Sequence, residues 1–147
     1  MQLDRHGWLH RIEGVQHAVS PNHNERPHLS TPFLLVVHNI SLPPNQFSGD
    51  AVIDFFQNQL DFTAHPWFEN IRGVTVSAHF LIRRDGNLVQ FVSTDDRAWH
   101  AGESLFEGLT GCNDFSIGIE LEGADHIAYT PEQYERLSRL TELLCQR

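Results

Sequence analysis

Pro32-Phe33-Leu34-Leu35-Val36-Val37-His38-Asn39 sets the reading of the chain: five consecutive apolar residues follow a proline and stop abruptly at a polar pair. An apolar run of this length without alternation predicts a strand buried on both faces, as in sheets covered by helices on each side. The segments that follow fit such a sheet. After Pro43-Pro44 and Ser48-Gly49-Asp50, Val52, Ile53, Phe56 and Leu60 recur at helical spacing, which predicts an amphipathic helix over about 50–60. Val74-Thr75-Val76-Ser77-Ala78-His79-Phe80-Leu81-Ile82 reads as a strand, Asp85-Gly86 as a hairpin turn, and Leu88-Val89-Gln90-Phe91-Val92 as the partner strand. A loop over 96–102 then leads through Cys112-Asn113-Asp114 into Phe115-Ser116-Ile117-Gly118-Ile119-Glu120-Leu121, an apolar strand with an acid embedded in it. Thr130-Pro131-Glu132-Gln133 is a helix start with a capping box, and Tyr134, Leu137, Leu140 and Leu144 give that helix one apolar face. This order of elements predicts an α/β domain, a mixed β-sheet flanked by helices.

The rest of the composition bounds the function. The 147 residues, 40% hydrophobic and 20% charged, suit a single domain over 1–147, without repeats or low-complexity segments. Residues 1–32 are rich in His, Pro and Asn and predict an irregular N-terminal arm around a short apolar patch at Trp8-Leu9, with no chemistry of its own. Ten Lys and Arg against nineteen Asp and Glu leave a formal charge of −9, a field that repels nucleic-acid backbones and anionic membranes. No apolar run reaches the roughly 18 residues of a membrane-spanning helix, and Met1 to Gly7 has no signal-like apolar stretch. Cys112 and Cys145 lie far apart without ligand or redox spacing, which predicts reduced, structural thiols. The expectation is a cytoplasmic protein with neither nucleic-acid nor membrane partners.

Ten histidines are many for this length, and position separates them. His38 follows directly on the first strand, where α/β sheets bind ligands, and it reads either as a site residue or as a capped strand end. His79, inside an apolar strand, reads as a hydrogen-bonded core histidine or as a ligand; His100 follows Trp99 in a Gly-bounded loop. Glu120 is the sharper signal, because an acid between Ile119 and Leu121 is expensive to bury unless paired, protonated or near a metal. It can also point to an open face. Together His38, His79, His100 and Glu120 could form a zinc hydrolase site of up to three imidazoles and one carboxylate base, although their spacing is no motif.

Four strings carry a resemblance: Leu34-Leu35-Val36-Val37-His38-Asn39-Ile40-Ser41, Val76 to Gly86, Arg97-Ala98-Trp99-His100-Ala101-Gly102, and Cys112 to Gly123. In this order they closely resemble the AmpD-type 1,6-anhydro-N-acetylmuramoyl-L-alanine amidases of cell-wall recycling, N-acetylmuramoyl-L-alanine amidase family 2, and the match runs from Gly7-Trp8 to the chain end. The resemblance implies a peptidoglycan-recognition, amidase-like fold and zinc-dependent hydrolysis of the bond between muramoyl lactyl and L-alanine in small soluble muropeptides. His38 matches the first zinc ligand and Glu120 the catalytic acid; Asn39 and Trp99 look like substrate-groove residues, and His79 and His100 fall to groove or structural roles. The family's other two ligands, a His and an Asp, and an oxyanion-facing Lys follow the last helix, whereas this sequence stops at Gln146-Arg147 without a helix stop signal. The expectation is therefore a chain truncated before the C-terminal metal-ligand segment. The alternatives are a non-catalytic muropeptide-binding module and an inactive fragment of the amidase.

Overall fold

The computed structural model describes residues 1–10, 13–27 and 31–146. In chain order the strands are β1 (Val15–His17), β2 (His23–Glu25), β3 (Leu34–Ile40), β4 (Phe80–Ile82), β5 (Leu88–Gln90), β6 (Asp96–Ala98), β7 (Leu105–Phe106), β8 (Leu109–Thr110) and β9 (Ser116–Glu122). The α-helices are α1 (Ala51–Phe56) and α2 (Pro131–Cys145), and short 3-10 turns cover Pro66–Ile71 and Cys112–Asp114. Five strands form the main sheet in the order β1-β5-β4-β9-β3, with β4 and β5 antiparallel and the other neighbours parallel. This is the α/β, mixed-sheet architecture expected from the sequence.

The strand that organises the molecule is β9, buried along its whole length between β4 and β3. Its residues alternate: Ile117, Ile119 and Leu121 join Phe80, Ile82, Leu88 and Leu140 of α2 in one core. Period two sends Ser116, Gly118, Glu120 and Glu122 to the opposite face. There Leu81 and Val89 pack with Val52, Ile53, Phe55 and Phe56 of α1 in a second core. Burying a side chain of this size contributes about 1.5–3 kcal/mol, so the two cores fix which way β9 faces.

Local chemistry explains the boundaries. The hairpin between β4 and β5 closes as expected, with Arg83 N–H donating to Asn87 O at 2.9 Å and Gly86 in a left-handed turn at φ +79°. Helix α2 opens on the expected capping box: Gln133 N–H donates to Thr130 Oγ1 and Thr130 N–H to Gln133 Oε1, both at 3.1 Å.

Several expectations need correction. Strand β3 is an edge strand rather than one buried on both faces, and Phe33 and Val37 are 62% and 48% exposed. Helix α1 ends at Phe56 because Asn58 turns left-handed at φ +59° and exchanges two side-chain bonds of 2.9 Å with Asn22. The strand expected over 74–82 starts only at Phe80. Before it, Val76 O accepts from Asn22 Nδ2 and Ser77 N–H donates to Trp99 O, which takes that backbone out of the ladder. On α2, Tyr134 is 59% exposed, whereas Gln133 is buried with its amide donating to Ile82 O and Glu122 O. The arm expected over 1–32 is also more than irregular, since β1 extends the main sheet and β2 pairs with β6. Part of that expectation falls on Arg11, Ile12, His28, Leu29 and Ser30, which lie outside the described residues, as does Arg147. Helix α2, expected without an ending, closes at Cys145, where Gln146 N–H donates to Leu143 O and Leu144 O.

Candidate active site

Register brings two of the expected residues together. His38 of β3 is the parallel partner of Glu120 of β9, and Leu81 of β4 is the partner of Glu120 on its other side. Paired residues of neighbouring strands share a face, so the Glu120 carboxyl lies between an imidazole and an apolar side chain. Glu120 is 8% exposed, and its Oε2 is buried without a hydrogen-bond partner among the described residues. Burial pushes its pKa up from 4.5 to about 8. The reason is that an isolated ionised carboxylate loses several kcal/mol of hydration away from water, so the neutral form wins. A carboxyl kept neutral in this way is what a general acid or base of a hydrolase needs, within reach of neutral pH.

His100 completes the group from the loop after β6. Its backbone N–H and that of Ala101 both donate to Asn113 Oδ1, at 3.1 and 2.9 Å, which holds the loop against the 3-10 turn before β9. The ring lies over Gly118, where an added Cβ would stand 2.4 Å from the ring carbon Cγ. From there Nδ1 faces His38 Nε2 at 3.0 Å and Nε2 faces Ser116 Oγ at 3.1 Å. Burial lowers the His38 pKa, and burial followed by repulsion from His38 pushes that of His100 down to about 3, so both rings are neutral.

His79 does not join them as a donor of electron pairs. It is fully buried, and its Nδ1 accepts from Gly118 N–H at 3.0 Å. Its Nε2 therefore carries the proton and donates to Asp96 O at 3.1 Å, which leaves no lone pair for a metal and makes the 3.1 Å approach of Arg26 Nη2 a contact of two donors. The Arg26 guanidinium instead donates to the carbonyls of Asn113, Asp114 and Ser116 at 2.9–3.1 Å, clamping the N-terminal segment to the base of β9. Of the four-residue zinc grouping read from the sequence, His38, His100 and Glu120 come together and His79 is a core residue.

Asn39 follows His38 near the end of β3, and its Nδ2 donates to Asp125 Oδ1 at 2.8 Å. Both residues border a cavity of about 450 Å³ with Ile40, Phe55, Trp67 and Ile71. Trp99 is half-buried, its indole N–H donating to Asn24 Oδ1 at 2.7 Å and its backbone N–H to Ser77 Oγ at 3.0 Å. Residue-by-residue reading passed over Ser116, Gly118 and Asn113. The signal for the first two was present, since Ser116, Gly118, Glu120 and Glu122 recur at period two through an otherwise apolar strand.

Similarity to known proteins agrees with this arrangement. Residues 29–147 match the N-acetylmuramoyl-L-alanine amidase family. The chain is 53% identical over 138 residues to the 1,6-anhydro-N-acetylmuramyl-L-alanine amidase AmpD of Escherichia coli (strain K12), covering 94% of this chain and 74% of that protein. It superposes on a crystal structure of a selenomethionine AmpD derivative with a TM-score of 0.95 at 51% identity, covering 100% of this chain and 80% of that one. At 13% identity and a TM-score of 0.60, covering 92% of this chain and 77% of that one, the human peptidoglycan-recognition protein PGRP-IBETAC shares the fold alone. A sheet that sets a buried, unpartnered acid in register with a histidine thus coincides with identity along nearly the whole sequence, and the chain belongs to the N-acetylmuramoyl-L-alanine amidase family.

Proposed function

We propose that this chain hydrolyses the amide between the lactyl group of N-acetylmuramic acid and L-alanine in soluble 1,6-anhydro muropeptides, in the cytoplasm and with zinc as cofactor. The observation that carries the reading is the 53% identity to the E. coli amidase, whose name specifies a 1,6-anhydro substrate. A formal charge of −9 supports a small soluble substrate over nucleic acid or an anionic membrane, and no helix among the described residues is long and apolar enough to cross a membrane.

The residues present fit zinc in part. His38 is neutral and spends only one ring nitrogen on His100, so it suits a ligand. Among the described residues no group of three His, Cys, Asp or Glu could hold a metal ion, so His38 is the one ligand assigned here. Zinc, when bound, polarises the scissile carbonyl and acidifies water. Glu120 takes the proton of the attacking water and returns it to the leaving alanine nitrogen. It is protonated at neutral pH while His38 is uncharged, and becomes the ionised base once positive charge stands at His38. Asn39 and Trp99 bind substrate, the Trp99 ring packing on sugar or stem peptide while Asn24 holds its indole.

Two polypeptides test the reading: residues 1–147 alone, and the same residues joined to the segment that the family resemblance places after the last helix, taken from the E. coli amidase, of which this chain covers 74%. We expect residues 1–147 to hold zinc weakly in equilibrium dialysis. The joined chain is expected to bind it stoichiometrically and to release peptide from a 1,6-anhydro muropeptide. Stoichiometric, tight zinc binding by residues 1–147, lost on changing His100 as well as His38, would instead assign the metal to the histidines of this chain. Tight muropeptide binding by the joined chain without release of peptide would favour a binding module.

A further inference from the structure

The hydrogen bonds around His100 have only one consistent direction, and they run outward from a backbone carbonyl. Cys112 O has no proton, so the 2.5 Å contact with Ser116 Oγ is a bond donated by the hydroxyl. A hydroxyl has one proton, hence Ser116 Oγ accepts from His100 Nε2 at 3.1 Å. His100 Nε2 then carries the single proton of a neutral ring, and its Nδ1 presents a lone pair. That lone pair faces His38 Nε2 at 3.0 Å, so His38 Nε2 is the donor and the remaining nitrogen of His38, Nδ1, is unprotonated.

The position of His100 is built into the backbone on both sides. Asn113 Oδ1 holds its main chain, and Gly118 leaves room for its ring, since a Cβ there would overlap Cγ, Cδ2 and Nδ1 at 2.4–2.7 Å. Ser116, which anchors the far end, is fully buried.

We propose that His100 is the positioning residue of this site: through Ser116 and the Cys112 carbonyl it holds His38 in the Nε2-protonated tautomer, so that Nδ1 is the electron-pair donor His38 offers. The partner on the second nitrogen of a ligating histidine normally sets its tautomer and ring orientation, and is most often a carboxylate, carbonyl or water. Here a second histidine takes that part. For neutral rings, as at the pH of the test below, the tautomer follows from the hydrogen bonds; only its use as a metal ligand rests on the amidase reading above.

The test is heteronuclear NMR of the metal-free, ¹⁵N-labelled chain at about pH 8, above the ordinary imidazole pKa. Two-bond ¹H–¹⁵N correlations assign each tautomer, and a scalar coupling across the hydrogen bond identifies its two nitrogens. The expected spectrum has His38 and His100 both protonated at Nε2, with a slowly exchanging His38 proton coupled to His100 Nδ1. His100→Phe should lose both that coupling and the slow exchange, while His100→Gln, whose side-chain carbonyl can accept, should restore the slow exchange. A proton on His38 Nδ1 or on His100 Nδ1 overturns the proposal, as does slow exchange that persists in His100→Phe. If the Phe variant does not fold, the unsubstituted spectrum decides by itself. Because no zinc or substrate enters this measurement, its failure leaves the amidase reading standing, and loss of hydrolysis leaves the tautomer standing.

Discussion

Glu120→Gln in the joined chain should lower kcat/KM for a 1,6-anhydro muropeptide by about 10²–10⁴-fold, the usual contribution of one positioned acid–base group. The substitution keeps size and shape and removes only the ability to take and return a proton. It should not unfold the sheet, because the carboxyl it replaces makes no bond at Oε2 among the described residues and is neutral in the chain without metal. Zinc content should also stay the same, since His38 and not Glu120 is the assigned ligand in this chain. Elemental analysis of the purified variant separates the roles: loss of metal with loss of activity would move Glu120 into the coordination sphere. Activity within about threefold of the parent would remove it from the reaction, on the scale that one such group normally contributes.

Gly118→Ala should be the most damaging single methyl in the sheet. The new Cβ would sit 2.4–2.7 Å from three ring atoms of His100, far inside contact distance, and the ring has little freedom to yield. On one side it is tied to Ser116 and on the other to His38, while Asn113 fixes the backbone of its loop. Overpacking of this kind costs about 1–3 kcal/mol, and here it also breaks the bond to His38. Chemical denaturation should report that loss, and the imidazole spectrum should report the displaced ring. A variant within about 0.5 kcal/mol of the parent, the range of ordinary surface changes, would mean that His100 does not lie over β9.

Much of the scaffold was legible because its signals are local. The hairpin was announced by Asp85-Gly86 and the start of α2 by Thr130 and Gln133, and in both cases the residues that gave the signal make the bonds. Strands β1 and β2 gave none. Three residues are too few to show a period, and these two owe their conformation to partners 73 residues along the chain, as in the pairings Val15 with Leu88 and Asn24 with Arg97. The apolar run of β3 suggested a central strand, yet its exposed residues stand on an edge, because hydrophobicity reports what a strand can bury and not how many neighbours it has.

The site was legible as a set of residues and illegible as an arrangement. His38 and Glu120 drew notice singly, each for interrupting an apolar run, but their pairing depends on the register of β3 against β9, which no local pattern encodes. His79 and His100 look alike in the sequence. They part only in the fold, where Gly118 N–H and Asp96 O use both nitrogens of His79, while His100 turns toward His38.

The central claim is that two neighbouring strands set an uncompensated carboxyl beside a neutral histidine, and titration of Glu120 itself tests it most directly. In residues 1–147 without metal, the side-chain carboxyl carbon followed by ¹³C NMR should titrate near pH 8 in place of 4.5. The sign of the linked stability follows. The folded chain retains a proton that the unfolded chain has released, so the contribution of Glu120 is full below about pH 4.5 and declines by about 1.4 kcal/mol per pH unit up to about 8. Glu120→Gln should lack that component of the decline. A carboxyl that titrates near 4.5, with no difference in pH-dependent stability between the parent and Glu120→Gln, would contradict the account, because it would place Glu120 in water and not beside His38 in the floor of the site.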